Sequence, residues 1–253
     1  MYIDTLILYK FLIKNLMKLS LFAMILITTA SFSQKRYEFN YILEYEKTFY
    51  KDSMKTKHCP CREKDSMTKK YYLTNSLKNS YTAVITEVDS STYKMIFKDE
   101  NGFFSNATMI KSDFHKAESI RIGCESVRVY ENRFKYKTKN YSFLKLPDTV
   151  IHGASFKTYK LESLLSPKRI KKKHIATLYL IIENDTEFHL PVFEFSIAYE
   201  KWKKEGRLPN GIFREKYLID HRGQMEYKER LLNYRPISKT IVIDGGCDFR
   251  EKY

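Results

Sequence analysis

The most reactive side chains in this 253-residue chain are those of its four cysteines. Cys59 and Cys61 flank a single proline, whereas Cys124 and Cys247 lie far from them in the sequence. A disulfide across one intervening residue is strained, so Cys59 and Cys61 are each expected to pair with a distant cysteine. Four cysteines in an oxidising compartment are typical of structural disulfides, which is the interpretation we prefer. The sequence leaves the pairing open.

A second interpretation of the same region is a metal site. His58, Cys59 and Cys61 offer an imidazole and two thiolates, the ligands that copper and zinc prefer. The sequence has no second Cys-x-x-Cys and no nearby pair of histidines to complete such a site. A metal- or thiol-dependent enzyme using Cys59 and Cys61 therefore stays an alternative, and no cofactor is expected.

Histidines and acids give no pattern of a catalytic set. The six histidines are scattered, without His-Glu-x-x-His and without the Gly-x-Ser-x-Gly elbow of serine hydrolases. Asp220 and His221 are adjacent, but neighbouring side chains on a strand point to opposite faces. The sequence thus predicts no catalytic residue.

Aromatic side chains are abundant, with 20 Tyr and 17 Phe. One group of them alternates along residues 37–45, and another follows within a possible helix. They can be ordinary sheet packing, because Tyr and Phe favour strands. Alternatively, they line the concave face of an incomplete barrel and hold an apolar ligand. The candidate ligand-binding residues are Tyr37, Phe39, Tyr41, Tyr45, Tyr199 and Trp202.

Strand patterns dominate the rest of the chain. Beyond residues 37–45, strands are predicted at 70–74, 80–89, 91–97, 126–137, 149–162, 174–183, 212–220 and 239–243. This organisation predicts a mainly β fold, an antiparallel curved sheet or open barrel with one or two short helices.

Two segments are interpreted differently. A helix is predicted over 191–205, because Val192, Tyr199 and Trp202 fall on one face and Gly206 can end it. The first half of that segment also alternates, as a strand would. The basic run 168–174 is predicted to be a solvated hairpin tip, with a contact to anionic lipid headgroups or polysaccharide as the alternative.

The first 33 residues have the pattern of a leader. From Met17, one lysine precedes the apolar stretch 19–27, which is far shorter than the roughly 20 residues that span a bilayer. We expect residues 1–16 to be an upstream extension and cleavage to follow Ser33. An uncleaved anchor is the alternative. No cysteine follows until Cys59, so anchoring through a lipid-modified N-terminal Cys is not expected.

The remainder, residues 34–253, is predicted to be a single β-rich domain because no linker or repeat interrupts it. The net charge of +15 is spread along the chain rather than clustered on one element, which does not favour a nucleic-acid partner.

The Ser-Phe-Ser-Gln end of the leader and the Tyr-Ile-Leu-Glu-Tyr-Glu-Lys-Thr strand at 41–48 resemble secreted proteins of the Bacteroidetes, including the GLPGLI family. Trp202, the Leu-Pro-Asn-Gly-Ile segment at 208–212 and Ile219-Asp220 resemble the region that names that family, although the naming motif itself is absent. The resemblance implies an open, curved sheet similar to the periplasmic lipoprotein carriers, and it implies no residue roles.

These observations together predict an exported protein, periplasmic or associated with the outer membrane. Its expected function is non-catalytic binding or carriage of an apolar or amphipathic ligand such as a lipid. The alternative is a structural or protein-interaction component of the cell envelope. The sequence does not predict an oligomeric state.

Overall fold

One twelve-stranded sheet organises residues 34–50 and 66–244, the part of the chain that the computed structural model describes. Its strands are β1 (Lys35–Phe49), β2 (Met67–Asn75), β3 (Lys78–Glu87), β4 (Thr92–Asp99), β5 (Phe103–Ile110), β6 (Ser119–Ile122), β7 (Val127–Val129), β8 (Tyr141–Ile151), β9 (Ala154–Ser163), β10 (Thr177–Ile182), β11 (Phe213–Ile219) and β12 (Met225–Ile243). Three α-helices accompany them in these residues: α1 (Lys111–Lys116), α2 (Pro167–Lys172) and α3 (Ser196–Glu205).

The strands follow the order β7-β5-β4-β3-β2-β1-β12-β11-β10-β9-β8, and every neighbouring pair in it is antiparallel. β6 pairs in parallel with the end of β12. β7 and β8 end the path without pairing with each other, so the curved sheet does not close. The predicted mainly antiparallel fold is confirmed, with three described helices rather than one or two.

The long strands β1 and β12 join the two halves of the sheet. Their pairing register shifts twice, between Phe39 and Tyr41 and between Glu44 and Tyr45. At each shift β12 has one residue more than β1, which is the pattern of a β-bulge and increases the local bend and twist of the strands. The aromatic row of β1 is divided: Tyr37 and Phe39 pack in the first hydrophobic cluster described below, and Tyr45 packs in the third.

Three hydrophobic clusters fill the faces of the sheet. The first cluster lies under β1–β5 and is closed by Phe114 of α1, Ile122 of β6 and Val127 of β7. The second cluster lies between β8–β11 and helix α3. The third cluster is smaller and packs the central strands against Val192 and Ile212.

Several sequence predictions need correction. Residues 149–162 are not one extended run, because His152 and Gly153 adopt positive φ angles of 49° and 82° and turn the chain from β8 into β9. The basic run lies exposed in the connection between the paired strands β9 and β10, as predicted, but most of it forms the short helix α2, which Pro167 starts at a position where proline is favoured. The last strand is far longer than residues 239–243, since β12 begins at Met225.

The segment 126–137 forms a strand only at Val127–Val129. Beyond it the side chain of Asn132 accepts a hydrogen bond from the Phe134 amide and starts a 3-10 turn at Arg133–Tyr136. This local side-chain bond competes with strand pairing and explains why the alternation there is misleading.

Helix α3 begins at Ser196, five residues later than predicted. The residues before it cross the sheet in a non-helical conformation, and two of them, Val192 and Phe193, are buried. The helix ends as predicted at Gly206, which adopts the left-handed conformation with φ of 62°.

Candidate functional site

A cleft of about 340 Å³ opens over strands β2–β5, on the face opposite the first cluster. Side chains alternate along these strands, so Ala83 and Phe97 enter the first cluster while their neighbours Val84 and Ile96 line the cleft. Val84 and Ile96 are direct cross-strand partners, and Phe104 of β5 extends the same apolar floor. The volume lies within the range of about 300–1,000 Å³ that small-molecule sites occupy.

Four lysines surround this floor: Lys47, Lys70, Lys94 and Lys98. A single carboxylate, Glu194, is found among the described lining residues. An apolar floor with several cations at its edges can hold a molecule that has an apolar part and a negative charge.

Beside the cleft lies a buried ion cluster, formed by Lys47, Lys70, Lys216, Glu194 and Glu229. Glu229 is its centre, because β12 lies between β1 and β11 and pairs Glu229 directly with Lys47 on one side and Lys216 on the other. Its carboxylate lies 3.1 Å from Lys47, 2.9 Å from Lys70 and 2.8 Å from Lys216. Its side chain is fully buried.

Tyr72 of β2 connects the cluster internally. Its hydroxyl donates to Glu229 Oε2 at 2.6 Å, accepts from Lys216 Nζ at 2.8 Å and also contacts Glu194. Burial, followed by the two carboxylates, raises the pKa of Tyr72 well above its usual value. The hydroxyl is therefore protonated and acts as a hydrogen-bond donor within the cluster.

The charged groups of the cluster shift one another's pKa values. Burial alone would raise the pKa of Glu229, but the surrounding lysines outweigh it and hold that pKa well below the usual carboxyl range. Burial and the neighbouring ammonium of Lys70 lower the pKa of Lys47, which Glu229 only partly offsets. Breaking a buried pair of this kind leaves an uncompensated charge and is strongly destabilising.

Glu194 reaches the cleft from the segment that crosses the sheet between β10 and α3. His189 anchors this segment: its ring is fully buried, with Nε2 2.9 Å from Thr74 Oγ1 and Nδ1 2.6 Å from the Leu190 carbonyl oxygen. Lys98 Nζ donates to the Glu194 carbonyl at 2.7 Å. Glu194 Oε1 then lies 2.6 Å from Lys70, with its side chain 27% exposed, so it forms part of the cleft wall.

The six aromatic residues predicted to bind a ligand are not gathered around one cavity. They belong to three clusters: Tyr37 and Phe39 to the first, Tyr199 and Trp202 to the second, and Tyr41 and Tyr45 to the third.

Tyr37, Phe39, Tyr45 and Tyr199 are buried, and Tyr41 and Trp202 are half-buried. The Tyr45 hydroxyl donates to the Phe213 carbonyl at 2.5 Å, and Trp202 Nε1 donates to the Leu208 carbonyl at 3.1 Å. None of the six is among the residues that line the cleft. Their surroundings are those of sheet packing, the simpler of the two interpretations of the sequence.

The cysteine predictions fall mostly outside the described residues, as do His58 and the leader 1–33. Cys124 is disulfide-bonded and precedes β7 in the chain. Its pairing with Cys59, Cys61 or Cys247 stays a prediction, because all three lie outside the described ranges. Within residues 34–50 and 66–244, no three His, Cys, Asp or Glu side chains are grouped so that they could hold a metal ion.

Sequence reasoning did not identify the cleft. Its signal is present in β4, where Lys94, Ile96 and Lys98 alternate with buried Met95 and Phe97. Lysines at alternate positions normally mark a solvated face. Only the packing of the 183–195 segment against the sheet distinguishes this face from an ordinary one.

No protein-family model and no curated protein sequence matches the chain. Among solved structures, it is similar to the MucA/MucB complex of Pseudomonas aeruginosa, with 6% identity and a TM-score of 0.38 over 83% of this chain and 54% of that one. A structure of MucB gives 7% identity and a TM-score of 0.36, over 79% of this chain and 54% of that one.

A putative outer membrane lipoprotein-sorting protein domain from Vibrio parahaemolyticus gives 8% identity and a TM-score of 0.28, over 78% of this chain and 85% of that one. The chain spans about half the length of the MucB structures. At TM-scores this low, the similarity assigns no function to this chain, and its fold and site are described from its own strand order and side chains. In the described residues, no helix has both the length and the apolar character to cross a bilayer.

Proposed function

We propose that the chain is an exported, non-catalytic binding protein of the cell envelope that holds an apolar or amphipathic molecule in the cleft over β2–β5. The observation that carries the proposal is the apolar floor of Val84, Ile96 and Phe104 beneath a rim of lysines. Apolar surface exposed in a concave site is a favourable place for an apolar ligand, because binding removes both surfaces from water.

The charged groups of the cleft favour binding over catalysis. Glu194 is held by Lys70 and contacts Tyr72, and the nearby lysines keep its pKa lowered although burial and Glu229 would raise it. A general base needs a pKa near the working pH and access to a substrate proton. A carboxylate whose lone pairs are engaged by ammonium groups suits a structural role in the wall of a binding site.

Export to the periplasm or the outer membrane is part of this proposal and rests on the leader pattern of residues 1–33. Kinship with the secreted Bacteroidetes proteins that the sequence resembles is a further part of it. It rests on the strand at 41–48 and the segment from Trp202 to Asp220.

A protein-interaction role through a sheet edge is favoured less. The terminal strand β8 contains Pro147 and a register shift between Leu146 and Thr149, and β7 at the other end has three residues. Proline, bulges and short length are the features that hinder addition of a foreign strand. The metal- or thiol-enzyme alternative falls on His58, Cys59 and Cys61, outside the described residues.

The test is to purify the full chain from its own host and to identify any co-purifying apolar molecule by native mass spectrometry. The matched variants are Val84→Trp, which fills the cleft floor, and Val88→Trp, at a site that is 58% exposed next to the same strand. We expect wild type and Val88→Trp to retain a bound molecule and Val84→Trp to lose it at an unchanged melting temperature. Wild-type protein without any bound molecule, or equal retention by both variants, would contradict the proposal.

A further inference from the structure

The buried ion cluster carries more positive than negative charge. Three lysines, Lys47, Lys70 and Lys216, share two carboxylates, Glu194 and Glu229, so one ammonium charge is not matched within the described residues. A buried charge without a counter-charge is costly, which makes the cluster a strong attractor for an anion.

Aromatic rings moderate this excess without neutralising it. Lys47 Nζ lies 3.5 Å from the ring centre of Tyr227, and Lys216 Nζ lies 4.0 Å from that of Tyr72 and 4.5 Å from that of Tyr45. The negative face of a ring stabilises an ammonium group but carries no net charge. The unmatched positive charge of the cluster therefore persists at the end of the cleft where Lys47 and Lys70 form its wall.

A second cation reinforces the same end of the cleft. The strand register places Lys70 of β2, Thr86 of β3 and Lys94 of β4 side by side in one row across the sheet. All three line the cleft. Lys98 differs, because Glu100 pairs with it at 2.6 Å. Among the residues that the structure describes, no carboxylate pairs with Lys94.

The apolar floor continues from this row toward the opposite end of the cleft. Val84 and Ile96 form the next cross-strand row, and Phe104 lies beyond them opposite Lys98. The two ends of the cleft thus differ. One end has unmatched cations and the Thr86 hydroxyl, whereas at the other end Lys98 is paired with Glu100 and the Thr82 hydroxyl donates to the Leu73 carbonyl.

We infer that the cleft takes an apolar chain that ends in a carboxylate or a phosphate group, with the anionic group at the Lys70–Thr86–Lys94 row and the chain over Val84, Ile96 and Phe104. The inference rests on the proposed function and specifies its ligand class. The anion supplies the counter-charge that the ion cluster lacks, and the Thr86 hydroxyl can donate a hydrogen bond to it.

The experiment compares three probes with the same ten-carbon chain: decanoate, decyl phosphate and decanol. Their affinities for the full chain are measured by calorimetry at low ionic strength. We expect the two anionic probes to bind about tenfold or more tightly than decanol, since a charge-assisted contact contributes about 1.5–3 kcal/mol. The ratio of decanoate to decyl phosphate affinity then identifies which anionic group the site prefers.

The outcomes separate the two proposals. Decanol binding as tightly as both anionic probes would overturn the inferred anion site and leave the apolar binding function standing. No binding of any of the three probes would overturn the proposed function and the inference with it.

Two lysine variants locate the anionic group, and a third serves as the control. Lys94→Met and Lys47→Met are each expected to reduce the preference for the anionic probes several-fold, with decanol affinity unchanged. Lys69→Met is the control, because Lys69 neighbours Lys70 on β2, is 55% exposed and pairs with Glu44 away from the cleft. An equal loss of preference in Lys69→Met would show that net charge rather than the row attracts the anion, and would overturn the assignment.

Lys94→Met guards against a folding artefact. Lys94 is only half-buried and has no ion pair within the described part of the chain, so its replacement leaves the buried ion cluster intact. An unchanged anion preference in a folded Lys94→Met variant would contradict the assigned position of the anionic group.

Discussion

Glu229 is the residue on which the ion cluster depends, because three ammonium groups and one phenol converge on its carboxylate. Replacing it with Gln keeps the shape of the side chain but leaves three buried lysines with Glu194 as their one described counter-charge. We expect Glu229→Gln to lower the free energy of unfolding by about 3–5 kcal/mol, as for other broken buried pairs. Urea unfolding at neutral pH measures the loss.

Glu46→Gln is the matched control, since Glu46 pairs with Arg230 at 2.9 Å between half-exposed or exposed side chains. A surface pair of this kind contributes about 0–1 kcal/mol. Comparable effects of the two substitutions would show that the cluster is not the stabilising feature that its burial indicates.

The same carboxylate predicts how stability depends on pH. The pKa of Glu229 is lowered well below its usual value of 4.5, so its stabilising contribution is complete above pH 4.5 and is lost as the pH falls through the folded-state pKa. We expect the difference in unfolding free energy between wild type and Glu229→Gln to shrink steadily on acidification below pH 4.5. A constant difference down to strongly acidic pH would mean that Glu229 is not ionised in the folded protein.

Among the elements, helix α3 depends on the glycine that follows its last residue. Gly206 adopts a left-handed φ of 62°, and a Cβ added there would meet no atom within 4 Å. Gly206→Ala therefore introduces backbone strain alone, which costs about 1–2 kcal/mol for a residue other than glycine. We expect Gly206→Asn to cost less, because Asn tolerates this conformation better. Equal stability of Ala and Asn variants in urea unfolding would contradict this account of the helix end.

The elements also show what the sequence could and could not predict. The alternation around Tyr37 and Phe39 predicted β1 correctly, because period-2 patterning reports directly on a strand with one buried face. It could not predict the bulges, because they arise from extra residues on the partner strand β12, nor that Tyr45 packs in a different cluster from Tyr37 and Phe39. Helix propensity likewise placed the end of α3 at Gly206 but missed its start, which the packing of the preceding segment determines.

The cleft was beyond prediction for a related reason. The ion cluster beside the cleft takes Lys47, Lys70, Lys216 and Glu229 from four strands, two near each end of the described sequence, and each residue alone resembles one of a solvated face. They converge because the strands follow the order β2-β1-β12-β11, and the sequence pattern of a single strand does not encode that order. The aromatic residues drew attention instead, because their number is visible in the sequence while their division among three clusters is not.

For the molecule as a whole, β12 is the strand that couples the two halves of the sheet. Its first part pairs with β11, its last part with β6, and β1 follows it along nearly its whole length. β12 therefore contributes side chains to the first cluster and also pairs with β11, which carries part of the second cluster. We expect the described sheet to unfold as one cooperative unit.

Trp202, the single tryptophan of the chain, makes this testable because it packs against the second cluster. Ile241→Ala removes a fully buried side chain from the first cluster and should cost about 2–5 kcal/mol. If the halves are coupled, urea unfolding followed by Trp202 fluorescence shifts by the same amount as unfolding followed by far-UV circular dichroism. Leu232→Ala, on the same strand but 43% exposed, should leave both transitions nearly unchanged. A Trp202 transition that keeps its wild-type midpoint in Ile241→Ala, while the circular dichroism transition splits, would mean that the two halves fold independently despite sharing β12.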